Sequence, residues 1–169
     1  MNQLKKQDRK HMRLEWYDYS QAGFYFITIC TKNRQHFFGN IENGKMLLNK
    51  YGDIVCDYWN NTPNYFPNVK MGESITMPDH FHGIILLDFP DNELDAKNQL
   101  DAINRTPTKI VTIGVVVRLF KAGCTHAINK LNKNFGVSIW QRNYYDHIIR
   151  NRNEYERISN YIKNNPKNW

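Results

Sequence analysis

The chain has 169 residues, 41% of them hydrophobic and 14% aromatic, which supplies the apolar surface for one folded core and excludes a wholly disordered chain. No apolar run approaches the roughly 18 residues of a membrane helix, and residues 1–13 are polar and basic with no apolar stretch behind them, so neither anchor nor secretory signal is expected. Lys and Arg number 23 against 16 Asp and Glu, and the resulting +7 favours a polyanionic partner.

The sequence predicts a single domain over 1–169 with a basic arm at about 1–13. That arm carries Lys5, Lys6, Arg9, Lys10 and Arg13 against the single acid Asp8, a density that suits contact with phosphates and equally a solvated tail. Residues 24–31 are β-branched and aromatic, as in a buried central strand. Asn43-Gly44 between 37–41 and 45–48 is the turn pair of a tight hairpin. Tyr51, Ile54, Val55, Tyr58 and Trp59 form one apolar helical stripe, which Pro63 and Pro67 end. Residues 69–76 and 80–87 are extended, with Pro78 forcing an edge, bulge or bend between them. The polar stretch 88–108 has no periodicity and is expected to be a surface loop.

Ile113, Val117, Phe120, Cys124, Ile128 and Leu131 step by three or four along a second, longer helix ended by Gly136. Residues 138–140 and 145–149 are extended again. Asn151 and Glu154 are spaced as a capping box, opening a last helix that runs to about Asn164 and stops before Pro166. Cys30, Cys56 and Cys124 form no C-x-x-C pair and are expected as small core residues. Strands interleaved with these helices imply an α+β, ferredoxin-like antiparallel sheet with helices packed on one face.

Chemistry concentrates at His80-Phe81-His82. Period two in a strand puts both imidazoles on one face and Phe81 on the other, which suits a divalent metal and equally two hydrogen-bonded histidines. On the last helix Tyr161 and Asn165 are four residues apart and share a face. Asn165 is placed to give an oxygen ligand or to cap the helix. Tyr161 is placed to face the bound group or to pack beside Ile158 and Ile162.

Three segments in order make a more specific pattern: Met77-Pro78-Asp79-His80-Phe81-His82-Gly83-Ile84-Ile85, then Trp140-Gln141-Arg142-Asn143-Tyr144-Tyr145-Asp146-His147-Ile148-Ile149-Arg150-Asn151, then Tyr161-Ile162-Lys163-Asn164-Asn165-Pro166. With Tyr17-Asp18-Tyr19-Ser20, residues 25–31 and Arg118-Leu119-Phe120-Lys121, they resemble the REP-associated tyrosine transposases, single-tyrosine HUH nucleases that act on single-stranded DNA. The resemblance implies His80 and His82 as metal ligands, Asn165 as a third, Tyr161 as the nucleophile and Mg2+ or Mn2+ as cofactor. It implies an enzyme that cleaves and rejoins hairpin DNA of palindromic repeats through a 5′-phosphotyrosine, in the cytoplasm at the nucleoid. Arg142, Arg150, Lys121, Arg13 and Arg9 are expected at the DNA. Asp79 departs from the family's usual Asn before the first histidine. A repeat-binding protein without nuclease activity and a phosphoesterase using water are the rival readings, and both monomer and homodimer fit the sequence.

Overall fold

A computed structural model of the protein describes residues 17–88 and 111–169. Arg9, Arg13 and most of the expected surface loop lie outside the described residues. In chain order the elements are β1 (Gly23–Cys30), β2 (Gly39–Glu42), β3 (Lys45–Leu48), α1 (Lys50–Asn61), β4 (Val69–Met77), β5 (His80–Leu87), α2 (Ile113–Leu131), β6 (Tyr145–Ile149) and α3 (Arg152–Asn164). The main sheet has the order β4-β5-β1-β6 with every neighbour antiparallel, while β2 and β3 form a separate hairpin. This is the expected α+β architecture built on an antiparallel sheet.

The alternation of β1 fixes two faces. Tyr25, Ile27 and Ile29 point into a core built with α1 and α2, while Phe26 takes the other side with Ile84 and Ile149. In the larger core Trp59 meets Phe81 with ring centroids 4.7 Å apart, and Phe81 meets Phe120 at 5.2 Å. Gly83 makes that approach possible: a Cβ there would lie 2.4 Å from the Trp59 ring. On the opposite face Ile158 and Ile162 of α3 pack onto Ile84 and Ile149, flanked by Phe26 and Ile75. Helices therefore cover both faces, α1 and α2 on one and α3 on the other, rather than the single face expected from sequence. The cause is that the two central strands, β1 and β5, carry apolar residues at both phases of their alternation.

Local chemistry explains the element ends. Asn43 and Gly44 take positive φ, 51° and 69°, at the β2–β3 turn. Asn49 caps α1 by accepting from the Tyr51 and Gly52 amides, and Thr112 caps α2 through Val115. The Asn151 side chain accepts from the Glu154 amide, and Glu154 accepts in turn from the Arg150 amide, so the capping box closes one residue further out than its usual form. Pro78 and Asp79 make the tight turn between β4 and β5, with Met77 paired to His80, while the bulge lies further back, between Met71 and Ser74. Helix α2 ends at Leu131, and Gly136 with φ of 88° shapes the loop beyond it. Residues 138–140 contribute one bridge, Thr31 to Trp140, instead of a strand.

Candidate active site

Strand β5 delivers His80 and His82 to the α3 face, their ring centroids 4.5 Å apart, while Phe81 enters the opposite core. Both rings are held at Nδ1. The Thr28 hydroxyl, cross-strand from His82, lies 2.8 Å from its Nδ1, and Asp79 Oδ1 lies 2.6 Å from Nδ1 of His80. The second Asp79 oxygen faces the Arg34 guanidinium at 3.4 Å. Asn165, buried at the C-terminal end of α3, lies near enough to His80 to favour its charged form. A Nδ1–H donated to Asp79 or Thr28 leaves each ring a lone pair at Nε2.

Tyr161 comes from α3, one helical turn before Asn165. Its hydroxyl lies 3.4 Å from His82 Nε2, a long contact that leaves the oxygen free for other partners. Phe26 meets the Tyr161 ring edge-on at 6.2 Å and lies against His82 at 5.2 Å, so one aromatic positions both groups. Tyr161 remains 48% exposed, which opens its hydroxyl to a substrate. Lys163 pairs with Glu73 at 2.9 Å and ties α3 to the bulged edge of β4. Trp169 stacks on His80, with centroids 5.7 Å apart and planes at 29°.

Burial, reinforced by charge on His80, pushes the His82 pKa down to about 3. Burial also lowers that of His80, against the raising influence of Asp79 and Asn165. Both imidazoles are therefore neutral at pH 7, the form that offers nitrogen lone pairs. Among the described residues no group of three or more His, Cys, Asp and Glu is placed to hold a metal ion, so the pair has no further ligand of those types. Two neutral imidazoles with the Asn165 amide nevertheless form a mixed nitrogen and oxygen donor set compatible with Mg2+ or Mn2+ when phosphate or water fills the remaining positions.

The structure thus brings His80, His82, Tyr161 and Asn165 together within a single chain. Lys121, expected at the DNA, donates its ammonium to the carbonyls of Gln141, Arg142 and Asn143 at 2.6, 3.2 and 3.3 Å. Arg142 and Arg150 are exposed. Thr28, Arg34 and Trp169 had no sequence signal, because their proximity depends on strand register and on the path of the chain after α3. Asp79 was visible as the neighbour of His80, but its bond to Nδ1 was not.

The chain is 45% identical over 164 residues to an uncharacterized protein of Haemophilus influenzae, covering 95% of this chain and 89% of the other. It belongs to the family of that protein. A putative REP-associated tyrosine transposase of the same organism is 25% identical over 149 residues, covering 88% of this chain and 73% of the relative. The solved structure of a REP-associated tyrosine transposase bound to a REP hairpin superposes with a TM-score of 0.60 at 20% identity, covering 92% of this chain and 74% of that one. The chain thus shares its fold with that transposase and a weak sequence likeness with the putative one. No family model matches the sequence.

Proposed function

We propose that the protein is a metal-dependent enzyme that cleaves and rejoins single-stranded DNA at palindromic repeats folded as hairpins, with Tyr161 as nucleophile and a 5′-phosphotyrosine intermediate. The approach of the Tyr161 hydroxyl to His82, at 3.4 Å in one chain and beside the buried His80 and Asn165, carries this reading. The hairpin held by the solved fold relative supports the choice of substrate.

A free tyrosine titrates near about 10, so its hydroxyl is a poor nucleophile at neutral pH without electrostatic help. When held by His80, His82 and the Asn165 oxygen, a divalent cation would polarise the phosphate and offset charge on its non-bridging oxygens. Before a cation takes its Nε2 lone pair, neutral His82 can accept a hydrogen bond from the phenol and so hold Tyr161 at the site. Thr28 and Asp79 fix the two rings so that the same nitrogens face the substrate each time. The Tyr161 oxygen forms its bond to phosphorus as the bond to the 3′-oxygen breaks, and the proton lost by the phenol is balanced by one gained by the released 3′-hydroxyl. Attack by another 3′-hydroxyl reverses the step and rejoins strands, so the phosphodiester bond energy is retained and no nucleotide hydrolysis is needed.

The test is to incubate the protein and Mn2+ with a labelled hairpin oligonucleotide bearing a single-stranded extension, and to seek a protein–DNA adduct that survives denaturation. The adduct should map to the peptide 158–163. Cleavage that persists in Tyr161→Phe without an adduct would assign the site to a water-using phosphoesterase. Binding without cleavage would assign it to a regulatory DNA-binding protein.

A further inference from the structure

Charge is distributed unevenly along the chain. Residues 111–145 contain no Asp or Glu but carry Arg118, Lys121, Lys130, Lys133, Arg142 and His126. This acid-free segment folds back on itself, and between α2 and the loop that follows lies an open groove of about 520 Å3. Two α2 side chains hold the loop at its ends: Asn129 donates to the Val137 carbonyl at 3.0 Å, and Lys121 gathers the carbonyls of residues 141–143. The groove is thus formed by the fold in advance of any ligand.

Its lining combines two kinds of group. Arg142 and His126 are exposed at its rim, with Thr125, Ser138 and Gln141 between them. Phe135, also on the rim, is 76% exposed, the largest exposure among the large apolar side chains described. An exposed aromatic ring beside a positive charge, with no acid among the described lining residues, suits a strand whose bases stack and whose backbone is anionic. A duplex hides its base faces and would leave that ring without a partner.

The loop that lines the groove is bonded to the strand beside the candidate active site. The Gln141 amide donates to the Cys30 carbonyl at 2.9 Å, and Cys30 is the cross-strand partner of His80. Trp140, which lines the groove, bridges to Thr31, whose amide bonds the Asp79 carbonyl. A strand that leaves the histidine pair and rounds the end of β1, from the α3 face to the α2 face, would meet the groove at Gln141.

We infer that the groove between α2 and residues 135–142 binds the single-stranded DNA segment that adjoins the cleavage site, with Arg142 on a phosphate and Phe135 stacked on a base. This rests on the reading of the protein as a DNA strand-cleaving enzyme and extends it to the path of the strand.

The experiment measures anisotropy of a labelled oligothymidylate of about ten nucleotides, a length in the usual range for single-strand grooves. It compares the full chain with Arg142→Glu and Phe135→Ala, both surface changes, with melting temperature as the check on folding. Arg142→Glu should weaken binding about tenfold and reduce the salt slope by about one. Phe135→Ala should weaken it about fivefold or more through the lost stack. Wild-type affinity in both variants, or no binding of the oligothymidylate by the wild-type chain, overturns the assignment. Equal binding of oligouridylate would overturn its restriction to DNA. Adduct formation separates the two proposals: an adduct with unaltered variants leaves strand cleavage standing without the groove, whereas weakened variants without any adduct leave the groove standing without strand cleavage.

Discussion

Replacing Asp79 with Asn separates the two tasks that its carboxylate performs, holding the His80 ring and supplying negative charge behind it. Asp79 is buried, with one oxygen 2.6 Å from His80 Nδ1 and the other 3.4 Å from an Arg34 guanidinium whose side chain is 56% exposed. The exposed Arg34 pair contributes about 0–1 kcal/mol at most, so the effect falls mainly on His80. Asn keeps an oxygen to accept from Nδ1–H, and the stability loss should be under about 1 kcal/mol, whereas Asp79→Ala strands that donor and should cost about 1–3 kcal/mol. Metal affinity should behave differently. Both variants lose the anionic partner that makes the imidazole a better ligand, and Mn2+ binding should weaken about 10–100-fold in each. Thermal melting reads the first quantity, and a Mn2+ titration followed by electron paramagnetic resonance of the free ion reads the second. Wild-type Mn2+ affinity in Asp79→Asn, or equal destabilisation by Asn and Ala, would refute the claim that this carboxylate orients and charges His80.

Tyr161→Phe should abolish covalent adduct formation yet change stability by less than about 1.5 kcal/mol, because the ring contact with Phe26 survives and only one long hydrogen bond is lost; an adduct in this variant would move the nucleophile elsewhere. Acid should destabilise the fold through His82, whose pKa falls from 6.5 to about 3 on folding. Its stabilising contribution is fully present above pH 6.5 and is lost as pH falls towards 3, about 2 kcal/mol of it by pH 5; His82→Asn should flatten that part of the melting profile, and an unchanged slope would refute the account. Neutralising Lys5, Lys6, Arg9 and Lys10 together should reduce the salt dependence of hairpin binding more than its sequence preference, as measured by filter binding at several ionic strengths.

The readable parts of this fold were those whose signal is local. The period of α1 and α2, the Asn-Gly turn and the Asn151 cap all follow from residues within one or two turns of each other, and the structure has each of them. The boundary of α2 was misplaced because Gly136 signals a positive-φ residue without saying whether helix or loop precedes it, and the chain leaves the helix at Leu131. That helices cover both faces was not legible, since a run such as 24–31 has apolar residues at both phases and period alone does not choose. The site followed the same division. His80 and His82 on one face, and Tyr161 with Asn165 on another, were local statements, while Thr28 at His82 depends on a register between residues 54 apart in sequence.

The site divides into parts of unequal rigidity. The histidines lie on β5, hydrogen-bonded to β4 on one side and β1 on the other, among side chains with no solvent exposure at Ile84, Ile85 and Leu87. Tyr161 lies on α3, held by two isoleucines against Ile84 and Ile149 and by the partly exposed Lys163–Glu73 pair. Full burial of an isoleucine stabilises by about 1.5–3 kcal/mol and an exposed ion pair by about 0–1 kcal/mol. Lifting α3 therefore breaks a small apolar patch and leaves the sheet intact, whereas displacing His82 requires a central strand to unpair, so the helix opens at the lower free energy. That difference suits the proposed chemistry. The groups that hold phosphate need one fixed geometry for cleavage and for rejoining, while the residue that carries the 5′ end benefits from an attachment that yields when the released 3′ end is exchanged for another.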